Sequence, residues 1–414
     1  MLRVVSNILI KQVTQIKKDP NSTETPPVRN KVLTFDFVHE FSCSDSWRDL
    51  TNTGKVVVPK NLYVRDANNK LVPLFGTNVN IGGFTGNPPL LLRGDEVTID
   101  WGYRYFKGGK EIFEGTFDAK TGGHLFKGYI SKITSKKPIE FLIEDNMWKL
   151  KQLPAPTRTF KTTDTLEFIL KTLLEPYNKG LSLDKQFTVR STTQTTFGEF
   201  RTGNETVAEV LARLRKTYHF ESYFKGNELR CGISIYEPKE ARTFTFTFQK
   251  DIISDDLEYR RKDDIVLSIV ASNKTEYETG EMTKDGNAKT KCNRIEVLIT
   301  LRNGSDIPDI FIKKKGEDYP PNTGGERITT SYSGAKNVKE LISLATEELK
   351  KYYYNGFKGK FTTFGLPFVK VGDYIKLVDP ILPERNGKYN VRAVEYDGGI
   401  NGLRQKIELD YLIL

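Results

Sequence analysis

The chain has 414 residues, with 63 Lys and Arg against 53 Asp and Glu, so its formal net charge is +10. It contains 3 His, 3 Cys and 3 Met beside 25 Phe and 19 Tyr. The length exceeds one ordinary domain, three cysteines (Cys43, Cys231, Cys292) exclude a disulfide framework, and three scattered histidines leave little room for a His-built metal site.

In chain order, Met1 to Lys11 is apolar but too short to cross a bilayer, and no signal cleavage site follows. Residues 17–31 are polar and hold Pro20, Pro26 and Pro27, which predicts a loop. Leu33-Thr34-Phe35-Asp36-Phe37 and Val97-Thr98-Ile99-Asp100-Trp101 alternate apolar with polar residues, as half-buried strands do. Between them lies the glycine-rich stretch from Gly76 to Gly86. It lacks the spacing of a phosphate loop and runs into Pro88-Pro89, so it reads as turns. Leu153-Pro154-Ala155-Pro156 predicts a linker, because each residue before a proline is pushed out of the helical region.

Two helices follow. In the first, Asp164 is placed to cap, Glu167 to support it, Leu166, Ile169, Leu170, Leu173 and Leu174 form the apolar stripe, and Pro176 to end it. In the second, Thr206 and Glu209 form a capping box ahead of Val207, Val210, Leu211 and Leu214. Phe244-Thr245-Phe246-Thr247-Phe248 alternates again. Residues 273–293 are polar and read as a long hairpin loop. Residues 313–335, with Pro320-Pro321 and Gly324-Gly325, read as a mobile segment. A third helix opens at Asn337 with Glu340 three residues on. Ile407-Glu408-Leu409-Asp410-Tyr411 is a final strand. The class is mainly β with minor α, hence α+β.

One pattern recurs. Gly94-Asp95-Glu96-Val97-Thr98-Ile99 matches Gly372-Asp373-Tyr374-Ile375-Lys376-Leu377. A strand follows each (129–133 and 389–394), then another ending in an acid (139–145 and 406–410). Three matches in one order predict a duplicated β unit, and so two similar β-barrels flanking an α+β middle.

No residue constellation announces chemistry. His39-Glu40 is not a zinc motif, His124 sits in a glycine-rich turn and His219 closes a helix. The cysteines are isolated; Cys43 and Cys231 are expected as small buried hydrophobes. No G-x-S-x-G elbow is present, and adjacent acids such as Asp255-Asp256 point to different faces. Trp47 and Trp101 are expected in packing rather than as sugar platforms. The basic runs Lys17-Lys18, Lys136-Lys137, Arg260-Arg261-Lys262 and Lys313-Lys314-Lys315 are short, and predict a mildly basic surface rather than a nucleic-acid site. A structural or binding role is expected, with no catalytic residue, cofactor or metal.

Three places resemble the baseplate hub proteins of bacteriophage tails, the late control protein D family, and the hub portion of type VI secretion spike proteins. The first is Arg93-Gly94-Asp95-Glu96-Val97-Thr98-Ile99 with Phe126-Lys127-Gly128-Tyr129-Ile130, similar to the family's first barrel. The second is the helix from Thr206 through Leu214, including Leu211, with Phe220 to Phe224 and Asn227 to Gly232 as a hairpin after it, similar to its middle domain. The third is Phe364-Gly365-Leu366-Pro367-Phe368-Val369-Lys370-Val371-Gly372-Asp373 with Asn386-Gly387-Lys388-Tyr389, similar to its second barrel. Gly94, Asp95, Gly128, Thr206, Leu211, Phe364, Gly365, Gly372, Asp373 and Gly387 are the motif residues carried over, all as structural positions.

The resemblance implies an N-terminal extension (1–30), a first tail-tube-like barrel (31–155), an α+β middle domain (156–240) and a second barrel (241–414) containing one helix near 337–354. It implies a homotrimer whose six barrels form a pseudo-sixfold ring joining the tail tube to the spike. The chain stops at Leu414 with no β-helix after the second barrel, so the spike is expected to be a separate protein. The implied partners are the tail tube protein, that spike and other baseplate proteins, with no membrane insertion and no sequence-specific nucleic acid. The implied location is the tail baseplate of a virion or injection machine, assembled in the bacterial cytoplasm. The other readings are a siphophage tail-tip protein of the tail-associated lysin type, a glycan-degrading protein and a nucleic-acid-binding β protein.

Overall fold

The computed structural model describes residues 2–13, 29–30, 32–35, 38–58, 63–65, 71–73, 91–111, 122–134, 138–161, 163–191, 200–232, 241–282, 288–322, 325–332, 337–399 and 402–413. The predicted loop at 17–31, the glycine-rich stretch 76–86 and the runs Lys17-Lys18 and Lys136-Lys137 fall outside these residues, apart from Arg29 and Asn30.

The first part of the chain is β throughout: β1 (Leu2–Lys11), β2 (Val32–Phe35), β3 (Glu40–Ser46), β4 (Thr53–Val58), β5 (Tyr63–Arg65), β6 (Leu71–Pro73), β7 (Glu96–Lys107), β8 (Lys110–Glu111), β9 (Gly122–Ile133) and β10 (Ile139–Glu144). The mixed region holds α1 (Met147–Leu150), β11 (Arg158–Phe160), α2 (Leu166–Asn178), β12 (Thr188–Ser191), β13 (Phe200–Thr202), α3 (Val207–Tyr218), β14 (Glu221–Lys225) and β15 (Glu228–Gly232). The remainder comprises β16 (Thr243–Thr247), β17 (Ile252–Asp255), β18 (Glu258–Arg260), β19 (Leu267–Met282), β20 (Ala288–Leu301), β21 (Asp309–Lys313), β22 (Glu326–Ser331), α4 (Val338–Tyr352), β23 (Gly356–Lys358), β24 (Lys360–Phe364), β25 (Tyr374–Val378), β26 (Gly387–Gly399) and β27 (Gly402–Leu412).

One large sheet organises the molecule. Its strands run β17-β24-β27-β26-β3-β4-β10-β9-β7-β1-β2, with β25 on β26 and β16 on β25. The two similar β units are thus joined through β26 and β3, with Tyr396 opposite Cys43 and Ala393 opposite Ser46. Among the described residues this path is open and does not return on itself as a closed barrel. A single hydrophobic core runs across both units, from Ile8, Phe41 and Phe141 to Phe361, Tyr396 and Ile407. The expected N-terminal extension supplies β1, paired to β7 along its whole length, with Ile8 and Ile10 fully buried.

A second core is built by α1, α2, α3 and the strands around them, including Leu170, Leu173, Leu211 and Phe220. A third lies between α4 and the four-stranded sheet β21-β20-β19-β22, through Leu341, Ala345 and Leu349 against Ile269, Val297 and Ile299.

Several local expectations are met. Thr206 and Glu209 form the capping box, and His219 closes α3 at φ +56°. Asn337 accepts from the Glu340 N–H. Cys43 and Cys231 are buried in strands, and Trp47 and Trp101 are 6% and 3% exposed.

Others are corrected. The cap of α2 is Thr165, whose hydroxyl accepts from the Phe168 N–H; Asp164 turns back to accept from Lys161. Pro176 does not end α2, which continues to Asn178. Pro176 lies in the last turn of α2, where its missing N–H removes one helical bond. Residues 154–156 are no free linker, because Pro154 bridges Thr206 and the Ala155 N–H donates to the Glu205 carbonyl. Residues 273–293 are mostly the paired strands β19 and β20, not a loop, and only 283–287 fall outside the described residues. Within 313–335, residues 326–331 are β22, parallel to β19. His124 lies in β9 rather than in a turn.

Candidate functional site

The repeated Gly-Asp turn is built alike at its two positions in the large sheet. Gly94 sits at φ +95° and Gly372 at φ +86°, a region that favours glycine. The Gly94 N–H donates to the Ile130 carbonyl at 2.8 Å, and the Ile130 N–H donates to the Asp95 carbonyl at 2.9 Å. The Gly372 N–H donates to the Val391 carbonyl at 3.0 Å, and the Val391 N–H donates to the Asp373 carbonyl at 3.0 Å. Each aspartate accepts from the N–H three residues before it: Leu92 to Asp95 and Lys370 to Asp373, both at 2.8 Å.

An arginine clasps each turn. Arg29 donates through Nη1 and Nη2 to the two oxygens of Asp95, both at 2.7 Å. Arg242 donates to Asp373 through Nη2 at 2.6 Å and Nε at 3.3 Å. A backbone N–H also donates to each: Val13 to Asp95 at 3.0 Å, and Arg242's own to Asp373 at 3.3 Å. The two turns thus share a carboxylate, a guanidinium and the same pair of backbone bonds. The clasps differ in setting. The Arg29 and Asp95 side chains are both 1% exposed, whereas Arg242 is 40% exposed and lies over the Phe244 ring. Neither arginine is legible from local spacing, since they stand 66 and 131 positions from their aspartates.

The remaining motif residues are structural in different ways. Gly128 passes against the Glu144 carbonyl, where a Cβ would collide with backbone. Gly365 leaves no room for a Cβ beside Leu403 and the Tyr103 hydroxyl, and Gly387 none beside the Tyr389 ring. Leu211 is fully buried in the second core, and Thr206 caps α3. Phe364 is 48% exposed, with the Arg404 guanidinium over its ring. These positions are spread over the molecule and form no single pocket.

Two junctions tie the large sheet to its neighbours. At one, the Asn52 side chain donates to Asp45 at 2.9 Å, while its backbone N–H donates to Asp145 at 3.2 Å. The Met147 N–H, opening α1, donates to the other Asp145 oxygen at 2.9 Å. Burial pushes the Asp145 carboxyl up to about 7 against those N–H bonds, with the Asp45 charge adding to the rise. Burial likewise pushes Asp45 up to about 6, opposed by Lys370. Beside this junction Lys149 reaches into a box of aromatic rings, with Nζ 4.5 Å from the Tyr129 centroid and donating to the Tyr177 hydroxyl at 2.7 Å.

At the other junction a cleft of about 340 Å³ opens between the sheet, α3–β14 and α4–β22. Arg48 bridges it, donating to the Tyr352 hydroxyl at 2.6 Å and to Asp410 at 3.2 Å. The cations lining it are ion-paired: Arg215 with Glu221, Arg260 and Lys358 with Glu326, and Arg392 with Glu408. The cleft is a clamp made of internal pairs rather than an anion-binding hole. The run Arg260-Arg261-Lys262 is likewise neutralised by Glu258 and Glu326, Asp263, and Asp306. No group of three or more His, Cys, Asp or Glu side chains that could hold a metal occurs among the described residues, and no described helix is long and apolar enough to cross a membrane.

The large β sheet with an α+β region packed beside it is an architecture shared with a solved tail protein. The tail protein from Neisseria meningitidis MC58 matches over 98% of this chain and 96% of its own, at 11% identity and a TM-score of 0.51, which shows a shared fold. The 43 kDa tail protein of prophage MuSo2 from Shewanella oneidensis matches over 98% of both chains at 10% identity, with a TM-score of 0.49. The E. coli c3393 protein, a type VI secretion component described as similar to the T4 tail proteins gp27 and gp5, matches over 91% of this chain and 73% of its own at 8% identity, with a TM-score of 0.44. No protein-family model and no curated protein sequence matches the chain. The expected resemblance to bacteriophage tail proteins is borne out at the level of the fold.

Proposed function

We propose that this protein is the structural hub of a phage tail or a related contractile injection machine, without catalytic function. Three copies form a ring in which two β units per chain give six similar positions, joining a sixfold tail tube to a threefold spike supplied by another protein. The observation that carries this reading is the twice-built clasp, Arg29–Asp95 and Arg242–Asp373, on equivalent turns of the two units. Equivalent units in one chain let a threefold assembly offer quasi-equivalent contacts to a sixfold partner.

In this reading each unit works as a tail-tube-like barrel completed in the assembly, which also covers the open ends of the sheet path. The proposed limits are 31–155 and 241–414 for the two units and 156–240 for the middle domain. The α4 layer and its four-stranded sheet stand as an elaboration of the second unit. The partners are the tube protein, the spike and other baseplate proteins, and the location is the tail baseplate, after assembly in the bacterial cytoplasm. The +10 surplus is placed on faces toward tube and spike rather than along the channel. Cross-linking mass spectrometry of the assembled tail tests this: the reading expects links from this chain to both tube and spike proteins, and links to neither contradict it.

A further inference from the structure

Among the described residues, the four-stranded sheet β21-β20-β19-β22 ends on one side at β21, whose strand partner there is β20. Ile310 pairs with Ile299 and Ile312 with Val297, so both isoleucines lie on the face that α4 covers over β19 and β20. Yet Ile310 and Ile312 are 46% and 48% exposed, and Ile307, just before the strand, is 82% exposed. An open strand edge with an apolar face invites pairing and is ordinarily blunted or covered.

The strand's own sequence says what covers it. β21 reads Asp309-Ile310-Phe311-Ile312-Lys313. Laid antiparallel against a second copy and centred on Phe311, it sets Asp309 opposite Lys313 at both ends and Ile310 opposite Ile312 between them. A parallel, in-register pairing would set Asp309 against Asp309 and Lys313 against Lys313, which is repulsive. We propose that β21 pairs antiparallel with β21 of a second copy of this chain, joining two four-stranded sheets into one of eight strands.

Such a contact is its own complement. It closes after two copies and so buries the edge without templating open-ended growth. The present pairs do not forbid it: Asp309 is held by Arg302, with both side chains more than half exposed, and Lys313 by Glu296 at 3.3 Å. Each can share its partner with the incoming strand. The contact lies on a twofold axis, separate from the threefold ring, and is read in the free chain rather than the tail.

The test uses purified full-length protein in a Cys292→Ser background. Phe311→Cys is expected to give a disulfide-linked dimer on mild oxidation, because the residue faces its own copy; Ile312→Cys is expected not to. In light scattering, Asp309→Lys should abolish the twofold association and Asp309→Lys with Lys313→Asp should restore it. Circular dichroism confirms that each variant is folded. A free chain with no twofold association, equal cross-linking at 311 and 312, or no rescue by the charge swap would overturn the proposal. Each of these outcomes is independent of whether the chain also forms a threefold ring.

Discussion

The Arg29 guanidinium closes both oxygens of Asp95 at 2.7 Å with neither side chain reaching solvent, while its counterpart Arg242 holds Asp373 from a half-exposed position. The two clasps are alike in bonding and unlike in burial, and this sets their energetics apart. Removing one partner of a buried pair strands a charge and costs about 3–5 kcal/mol. Removing a solvent-screened arginine costs much less. Arg29→Ala is therefore expected to destabilise the chain by about 3–5 kcal/mol, and Arg242→Ala by about 1–2 kcal/mol, between the buried and exposed regimes. Denaturant titration measures both. Equal losses would show that burial does not govern the clasp.

The junction at Asp145 predicts a pH dependence. Its folded-state value of about 7 lies above the ordinary 3.8, so the folded chain holds a proton that the unfolded chain has released. The carboxyl thus favours folding fully below pH 3.8, and this contribution is lost as pH rises through about 7. Asp45, raised to about 6, adds a slope of the same sign over a shorter window. In Asp145→Asn the Asp145 share of the slope is expected to vanish, whatever the absolute stability. Denaturation midpoints of both proteins across mildly acid to neutral pH check this; parallel curves would contradict it.

How much of this was legible in the sequence follows from distance along the chain. Strands such as 97–101 and 407–411 declare themselves, because alternation is local. So do the caps Thr206 and Asn337, each three residues from the N–H it accepts. The Gly-Asp echo was visible for the same reason. The arginines that complete it were not, since no spacing rule reaches from Arg29 to Asp95. Nor was the joining of the two units into one sheet, which depends on β3 pairing with β26 some 350 residues away. The pairing of β19 with β20 beyond residue 273 has no local signature, because the sequence there is polar without a period of two. Thr165 and Asp164 are both good caps, and only geometry decides between them.

The close approach of β9 to β10 gives a third prediction. A Cβ at Gly128 would strike the Glu144 backbone, which a flexible side chain cannot relieve by moving. Gly128→Ala is expected to cost about 1–3 kcal/mol, as overpacking does. Thr206→Ala, which loses the cap of α3, is expected to cost about 1 kcal/mol. Thermal melts of the two variants should rank them in that order, and the reverse order would contradict the geometry.

The internal pairing of Arg260, Arg261 and Lys262 gives a fourth. A run whose charges are already neutralised has little to offer a phosphate backbone. Duplex DNA is expected to bind weakly, and the triple change of these residues to Gln to leave that binding and its salt dependence unmoved. A clear fall in affinity would show the run to be available to nucleic acid.

Cryo-electron microscopy of the assembled tail tests directly whether two clasped units per chain act as equivalent positions in a threefold ring. Three copies of this chain are expected around the axis, with the Arg29–Asp95 and Arg242–Asp373 turns alternating at six quasi-equivalent positions beneath the tube. A single copy, or a ring in which the two turns occupy unrelated positions, would contradict it.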